Sequence, residues 1–323
     1  MTLQDRYLTY ISSVRRYSVL TQGNYRRVLE EFTVFAARER GRDGLSDAEF
    51  LEDLSPAGIR RYEIYLLDEK KESARTVNMH LSVLSGCCRY LMKEGLLAAN
   101  PVKAVSRPKM EKRLPEFYRG DSMKEYFDST AFLIDDYEAF SDAKYFRMRL
   151  NRLIINILYC TGIRRSELIS LDVGSVDFSR RVLRVHGKGG KIREIPLLDS
   201  LCKEILLYLN AVETMAGCAR PVHEPLLVTE KFRRIYPVFV DRVVKGELGG
   251  VKSITGRKSP HVLRHTLATE LLDDGADLNS IKEMLGHSSL AATQVYTHNS
   301  IAKLKKVYNN AHPRAKNGEK HGD

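Results

Sequence analysis

The sequence predicts a mainly α-helical protein of two domains with a small β-sheet in its second half. Three observations lead there. Apolar residues recur at helical spacing through residues 1–105. A proline-rich basic stretch without apolar period then interrupts the pattern, from Asn100-Pro101 to Leu114-Pro115. Beyond it, only two runs read as strands, Arg181–His186 and Lys191–Leu197, joined by Gly187-Lys188-Gly189-Gly190 as in a hairpin. A chain of 323 residues also exceeds what one core usually holds.

In the first domain, Tyr7, Leu8, Ile11 and Val14 mark a short helix. A longer one runs from Thr21, a candidate cap, to Arg38, with Tyr25, Val28, Leu29, Phe32 and Phe35 on one face and Arg26 and Arg27 on the other. Ser55-Pro56 opens a third by the cap-then-proline rule. A fourth spans Ser73–Lys93 and presents Arg75, Thr76 and Asn78 in its first turns, a set suited to a phosphate at a helix N-terminus. These four helices form domain 1–105. The linker 106–117 carries Arg107, Lys109, Lys112 and Arg113, which suits a path along a polyanion. Surface solvation is the plain alternative for all of these charges.

The second domain, 118–312, starts with a helix at Asp121-Ser122-Met123, after which residues 128–143 carry no readable pattern. Met148–Leu158 is a buried helix ended by Thr161-Gly162, and a new helix carries Arg164, Arg165, Ser166, Glu167 and Leu168 in its first turns. Past the hairpin, Leu201–Val212 and Val238–Leu248 read as helices and 213–236 as loop. Helical patterning continues from His261 to Leu285, a last helix covers Ile301–Tyr308, and residues 313–323 form a polar tail.

Composition narrows the partners. Lys plus Arg number 52 against 41 Asp plus Glu, a net charge of +11, which makes a polyanion the first partner to consider. No apolar run reaches the roughly 18–20 residues of a membrane span, so no membrane partner is expected. The five cysteines are scattered without CxxC spacing, so no disulfide framework or zinc site is expected and a reducing cytoplasm is. Cys87 and Cys88 lie in an apolar pattern that suits a core better than a nucleophile.

Chemistry concentrates between His261 and Tyr296. His261 and Arg264, three apart on a helix, share a face, and a guanidinium beside an imidazole suits a phosphate. A phenol attacking a phosphodiester needs cationic clamps on the non-bridging oxygens and an acid for the leaving alkoxide. Arg264 and Arg164 are the candidate clamps, His287 a second donor, Lys188 at the hairpin tip the acid and Tyr296 the nucleophile, while Glu167 would orient Arg164 or His261. Taken singly, each has a duller reading. Arg164 with Glu167 is a common surface ion pair, Lys188 a turn lysine, His287 a helix-end cap, and Tyr296 one of sixteen tyrosines. His261 and His265 have the i, i+4 spacing of a metal pair but lack the glutamate of a zinc hydrolase motif.

Taken in order, Thr161-Gly162-Ile163-Arg164-Arg165-Ser166-Glu167-Leu168, Gly187-Lys188-Gly189, His261-Val262-Leu263-Arg264-His265, Leu285-Gly286-His287 and Tyr296 strongly resemble the tyrosine recombinase (phage integrase) family. Tyr308-Asn309-Asn310-Ala311-His312-Pro313-Arg314-Ala315 and the two-domain length look most like its Xer-type members. The resemblance implies a four-helix core-binding domain followed by an α+β catalytic domain. It makes Arg164, Lys188, His261, Arg264, His287 and Tyr296 the catalytic set of a site-specific recombinase acting through a 3′-phosphotyrosyl link, without ATP or metal. It also implies a double-stranded DNA recombination site as partner, a homotetramer or a heterotetramer with a second recombinase, and a nucleoid location. Arg26, Arg75, Thr76, Asn78 and Lys109 are the expected DNA contacts. A type IB topoisomerase, or a DNA-binding regulator with a vestigial site, is the alternative.

Overall fold

Small hydroxyl side chains start the helices of the first unit. Thr2 caps α1 (Leu3–Ser13), Ser18 caps α2 (Val19–Glu39), Ser46 caps α3 (Asp47–Asp53), Ser55 caps α4 (Pro56–Ile64) and Ser73 caps α5 (Ala74–Lys93), each accepting a hydrogen bond from a backbone N–H of the first turn. The computed structural model describes residues 1–110, 116–135, 143–187 and 190–286, and the chain divides into two units, Met1–Arg113 and Leu114–Asp323. Two features differ from the sequence reading. Thr21 is not the cap of α2: Ser18 is, and the Thr21 amide donates to it. The short helix α3 was unforeseen, because its seven residues span too few turns to show a period. The core of this unit gathers Val28, Phe32, Phe50, Tyr62, Leu81, Leu84, Cys87 and Cys88, so both cysteines are structural. Inside it the Tyr62 hydroxyl and His80 Nδ1 lie 2.9 Å apart, each satisfying the other's buried polar atom.

The second unit contains, in order, α6 (Gly120–Ser129), α7 (Phe132–Asp135), α8 (Ala143–Thr161), α9 (Arg165–Ile169), β1 (Val176–Asp177), β2 (Val182–His186), β3 (Ile192–Pro196), α10 (Asp199–Ala216), α11 (Pro237–Glu247), α12 (Pro260–Asp273) and α13 (Leu278–Leu285). The strands form one antiparallel sheet in the order β1-β2-β3, with Leu183 opposite Ile195 and Val185 opposite Arg193. The hairpin is where the sequence places it, and β1 is a two-residue addition too short to be read. The apolar run of α8 explains its place: Ile154, Ile155 and Leu158 are buried as it packs against α10, α11 and α12.

Of residues 213–236, expected as loop, the first four continue α10 to Ala216; further on an isolated bridge joins Val228 to Arg234, and the Arg234 guanidinium donates to Ile169 O at 2.8 Å. The helical pattern after His261 is two helices, because Gly275, at φ +83°, ends α12 and Asp277 caps α13. Lys188, His287, Tyr296 and the expected helix at 301–308 lie outside the described residues.

Candidate active site

Two glycines shape the floor of the site. Gly162 ends α8 with φ +60°, and a Cβ there would stand 2.6 Å from Leu285 Cδ2 and 3.0 Å from Leu267 Cδ2. Gly286 ends α13 with φ +66°, and a Cβ there would stand 3.1 Å from Arg193 Nη1. Both positions need a left-handed backbone and no side chain. The close approach they allow brings the end of α8, the start of α9 and the end of α13 together.

Arg164 occupies the N-cap of α9. Its Nη1 donates to Glu167 Oε1 at 2.8 Å, its amide donates to Glu167 Oε2 at 2.8 Å, and its Nη2 donates to Gly286 O at 2.8 Å. The Arg164 amide is thus taken by the chain's own carboxylate. Of the two partners expected for Glu167, Arg164 is the one it holds. Arg264, in the second turn of α12 and 6% exposed, donates from Nη1 to Gly162 O at 2.5 Å and from Nη2 to Leu285 O at 2.6 Å. His261 sits in the first turn of α12, exposed, behind the Ser259 cap and Pro260. The α12 N-terminal region is tied to the start of the unit: the Tyr118 amide donates to Thr266 Oγ1 at 2.9 Å, and the Arg257 amide to Glu116 Oε2 at 2.7 Å.

Sequence reasoning missed Arg193. It lies on β3, 6% exposed, and its guanidinium spans Glu167 with Nη1 3.0 Å from Oε1 and Nη2 2.8 Å from Oε2, while Nε donates to Met284 O at 2.9 Å. The readable signal was its phase: Arg193 alternates with Ile195 on the inward side of β3, where an apolar residue is expected, while Ile192 is 53% exposed.

The electrostatics follow. Burial pushes the Glu167 carboxyl up, but hydrogen bonds from the Arg193 side chain and the Arg164 amide, with the charges around it, leave it below the usual range and ionised. Burial, then the nearby Arg164 and Arg193 charges, pulls Arg264 down to about 10. His261 is exposed as a residue, but partial burial of its ring, followed by Arg264, His265, Arg165 and Arg257, lowers it below the usual imidazole value. Three guanidinium groups around one carboxylate leave a surplus of positive charge that an entering anion would relieve. Among the described residues no cluster of three or more His, Cys, Asp or Glu side chains could hold a metal ion, and no helix is long and apolar enough to cross a membrane.

The expected DNA contacts lie in the first unit. Arg26, Arg75 and Lys109 are exposed. Thr76 Oγ1 shares a hydrogen bond with Ser73 Oγ at 3.0 Å, and Asn78 Nδ2 donates to Pro108 O at 2.9 Å. Arg107 donates to Ser82 Oγ at 3.0 Å, so the start of the basic stretch is fastened along α5.

Three arginines gathered around one carboxylate, on a mostly helical domain with a three-stranded sheet, suit an anion such as a phosphate. Residues 136–303 match the phage integrase family and residues 5–95 match its N-terminal SAM-like domain. The chain belongs to the phage integrase family and is a tyrosine-type site-specific recombinase. It is 33% identical to tyrosine recombinase XerC of Bacillus subtilis (strain 168), over 96% of this chain and 95% of the relative. It is 34% identical to tyrosine recombinase XerC of Azotobacter vinelandii, over 97% and 96%. In fold it is similar to the Tn1549 transposon integrase in complex with a circular intermediate DNA, with a TM-score of 0.65 at 17% identity, covering 95% of this chain and 99% of that one. It is also similar to a lambda integrase dimer bound to a core site, with a TM-score of 0.61 at 20% identity, covering 99% and 78%.

Proposed function

We propose that this recombinase exchanges DNA strands by attack of Tyr296 Oη on a backbone phosphorus. The Oη–P bond forms as the P–O5′ bond breaks, leaving a 3′-phosphotyrosyl link and a 5′-hydroxyl. His261, its pKa lowered by burial and by neighbouring cations, is neutral near pH 7 and takes the phenolic proton. Lys188 delivers a proton to the departing 5′ oxygen. A 5′-hydroxyl from the partner strand then attacks the phosphotyrosyl phosphorus and reverses each transfer. The phosphodiester energy persists in the intermediate, so the scheme uses neither ATP nor a metal.

The observation that carries this reading is the convergence of Arg164 and Arg264, a hundred positions apart in sequence, on the adjacent carbonyls of Gly286 and Leu285. From there the two guanidinium groups serve as clamps for the non-bridging oxygens, with His287 as a further donor. Both relatives named above are XerC recombinases, and both solved structures were determined with DNA, which supports a DNA recombination site as the partner. A lambda integrase was also solved as a tetramer on a Holliday junction. We extend that to four protomers pairing two sites here, as one chain type or with a second recombinase. The DNA-facing residues of the first unit are Arg26, Arg75, Thr76, Asn78 and Lys109, the exposed cations acting through phosphates. The proposed domain limits are 1–105 and 118–312, joined by a linker lying along the DNA, in a cytoplasmic, nucleoid-bound enzyme.

Covalent capture on randomly nicked genomic DNA tests the nucleophile and delivers a substrate. Nicking lets the 5′ fragment diffuse away and traps the adduct. The wild-type protein should yield discrete captured duplexes, and Tyr296→Phe should bind them yet form no adduct. Adduct formation by Tyr296→Phe would overturn the assignment.

A further inference from the structure

Three successive carbonyls at the end of α13 accept hydrogen bonds from three arginines on three other elements. Met284 O accepts from Arg193 of β3, Leu285 O from Arg264 of α12, and Gly286 O from Arg164 at the cap of α9. A helix C-terminus is the negative end of its dipole and leaves its last carbonyls without intrahelical partners, so it attracts cations. Here that ordinary attraction gathers the guanidinium groups into one place. Residue 287 is next in the chain.

Among the three, Arg193 stands apart by what it touches. Its side chain is 7% exposed, and Nε, Nη1 and Nη2 are all engaged by Met284 O and the two Glu167 oxygens. The Arg164 side chain is 35% exposed, which suits a group that meets substrate. The two arginines share Glu167, whose 5% exposure removes it from solvent. The pose of that carboxylate is therefore set by the rigid fork of Arg193, and the Arg164 guanidinium rests against it. Gly286 completes the device: with no side chain it lets the Arg193 guanidinium pass close, where a Cβ would stand 3.2 Å from Cζ. β3 is also one arm of the hairpin whose tip carries Lys188.

We infer that Arg193 is a positioning residue of the strand-exchange site, one that never meets DNA but fixes, through Glu167 and Met284 O, where Arg164 stands over the phosphate. This inference rests on the reading of Arg164 as a phosphate clamp. A buried ion pair that merely supports the fold would affect stability alone. A positioning role makes a sharper claim: the loss on removing Arg193 depends on the charge of the scissile phosphate.

The test uses the captured duplex in two forms, with an ordinary scissile phosphate and with a methylphosphonate, in which a methyl group replaces one charged non-bridging oxygen. Full-length wild type, Arg164→Ala, Arg193→Met and Arg193→Lys are compared by DNA binding in a gel shift and by single-turnover adduct formation per folded molecule. Arg193→Lys keeps the positive charge but cannot span both carboxylate oxygens, and it serves if Arg193→Met does not fold.

On the ordinary phosphate, both Arg193 variants should bind DNA as wild type does while slowing adduct formation by roughly tenfold to a hundredfold. On the methylphosphonate the gap to wild type should shrink by at least roughly threefold for Arg164→Ala and for the Arg193 variants alike. If the gap shrinks for Arg164→Ala but stays the same for the Arg193 variants, or if they cleave as wild type does, Arg193 is structural only and the inference is overturned while the clamp stands. If the gap fails to shrink for Arg164→Ala itself, the clamp reading falls, and the inference with it.

Discussion

The second unit buries Glu167 and Glu204 and half-buries Glu270, each in different company, and the contrast separates scaffold from candidate site. Glu204 of α10 meets Arg152, whose Nε lies 3.4 Å from its Oε1, and Asn156 Nδ2 donates to Oε2 at 2.5 Å. Glu167 is bonded by two arginines, with Arg264 beside them. Glu270 of α12 accepts from the Tyr159 hydroxyl at 3.1 Å. The first arrangement pairs a carboxylate with a cation inside the α8–α10 packing. The second carries more cation than its carboxylate answers, and Arg264 is drawn down to about 10 by burial first and by the Arg164 and Arg193 charges after it. The third lacks the help of a guanidinium in its described bonds, and burial pushes it up to about 7. Burial of an acid therefore says little about role, whereas the balance of charge around it says a great deal.

The contrast can be broken most directly at the surplus cation. Arg264→Ala should cut single-turnover adduct formation by roughly two to three orders of magnitude, as expected for removing one charge-stabilising donor. DNA binding should persist, and near-normal cleavage by folded protein would erase the distinction between the two clusters. Next in size is the pairwise comparison of Glu167→Gln with Glu204→Gln. Each removes the negative charge from a buried carboxylate–arginine pair and should cost about 3–5 kcal/mol in urea unfolding. Only Glu167→Gln should also slow adduct formation per folded molecule, by on the order of tenfold, because only that carboxylate poses a clamp. Equal slowing by both variants would show that the defect is one of stability.

Glu270 offers the smallest effect and sharpens the comparison through pH. Its carboxyl is raised from 4.5 to about 7, so the folded state holds a proton that the unfolded state has released between those values. Stability therefore falls as pH climbs from 4.5 to about 7 and stays reduced above it. Glu270→Gln, neutral at every pH, should gain about 1–2 kcal/mol over wild type at pH 8 and nothing at pH 4. A gain that does not change with pH would point to packing instead of charge.

Much of this architecture is legible in the sequence alone. The helices of both units announce themselves by apolar period, and Ser55-Pro56, Ser73 and Gly162 mark their ends where expected. The candidate catalytic motifs are legible because each is local: His261 and Arg264 sit one turn apart, and Arg164 and Glu167 share a helix start. Elements of two to seven residues, β1 and α3, were missed for want of length. Arg193 was missed because nothing in its neighbourhood names its partner, 26 positions earlier in the chain.

What the sequence determined by itself is therefore the set of elements, their caps and the identity of the family, since spacing along one chain encodes local backbone and burial. Only the tertiary structure decided which guanidinium stands on which carbonyl. Met284, Leu285 and Gly286 recruit arginines from β3, α12 and α9, and Glu167 is shared between two of them. Such pairings depend on how α8, α13 and the hairpin pack in three dimensions. The free energy of bringing distant charges together appears only once the chain has folded around them.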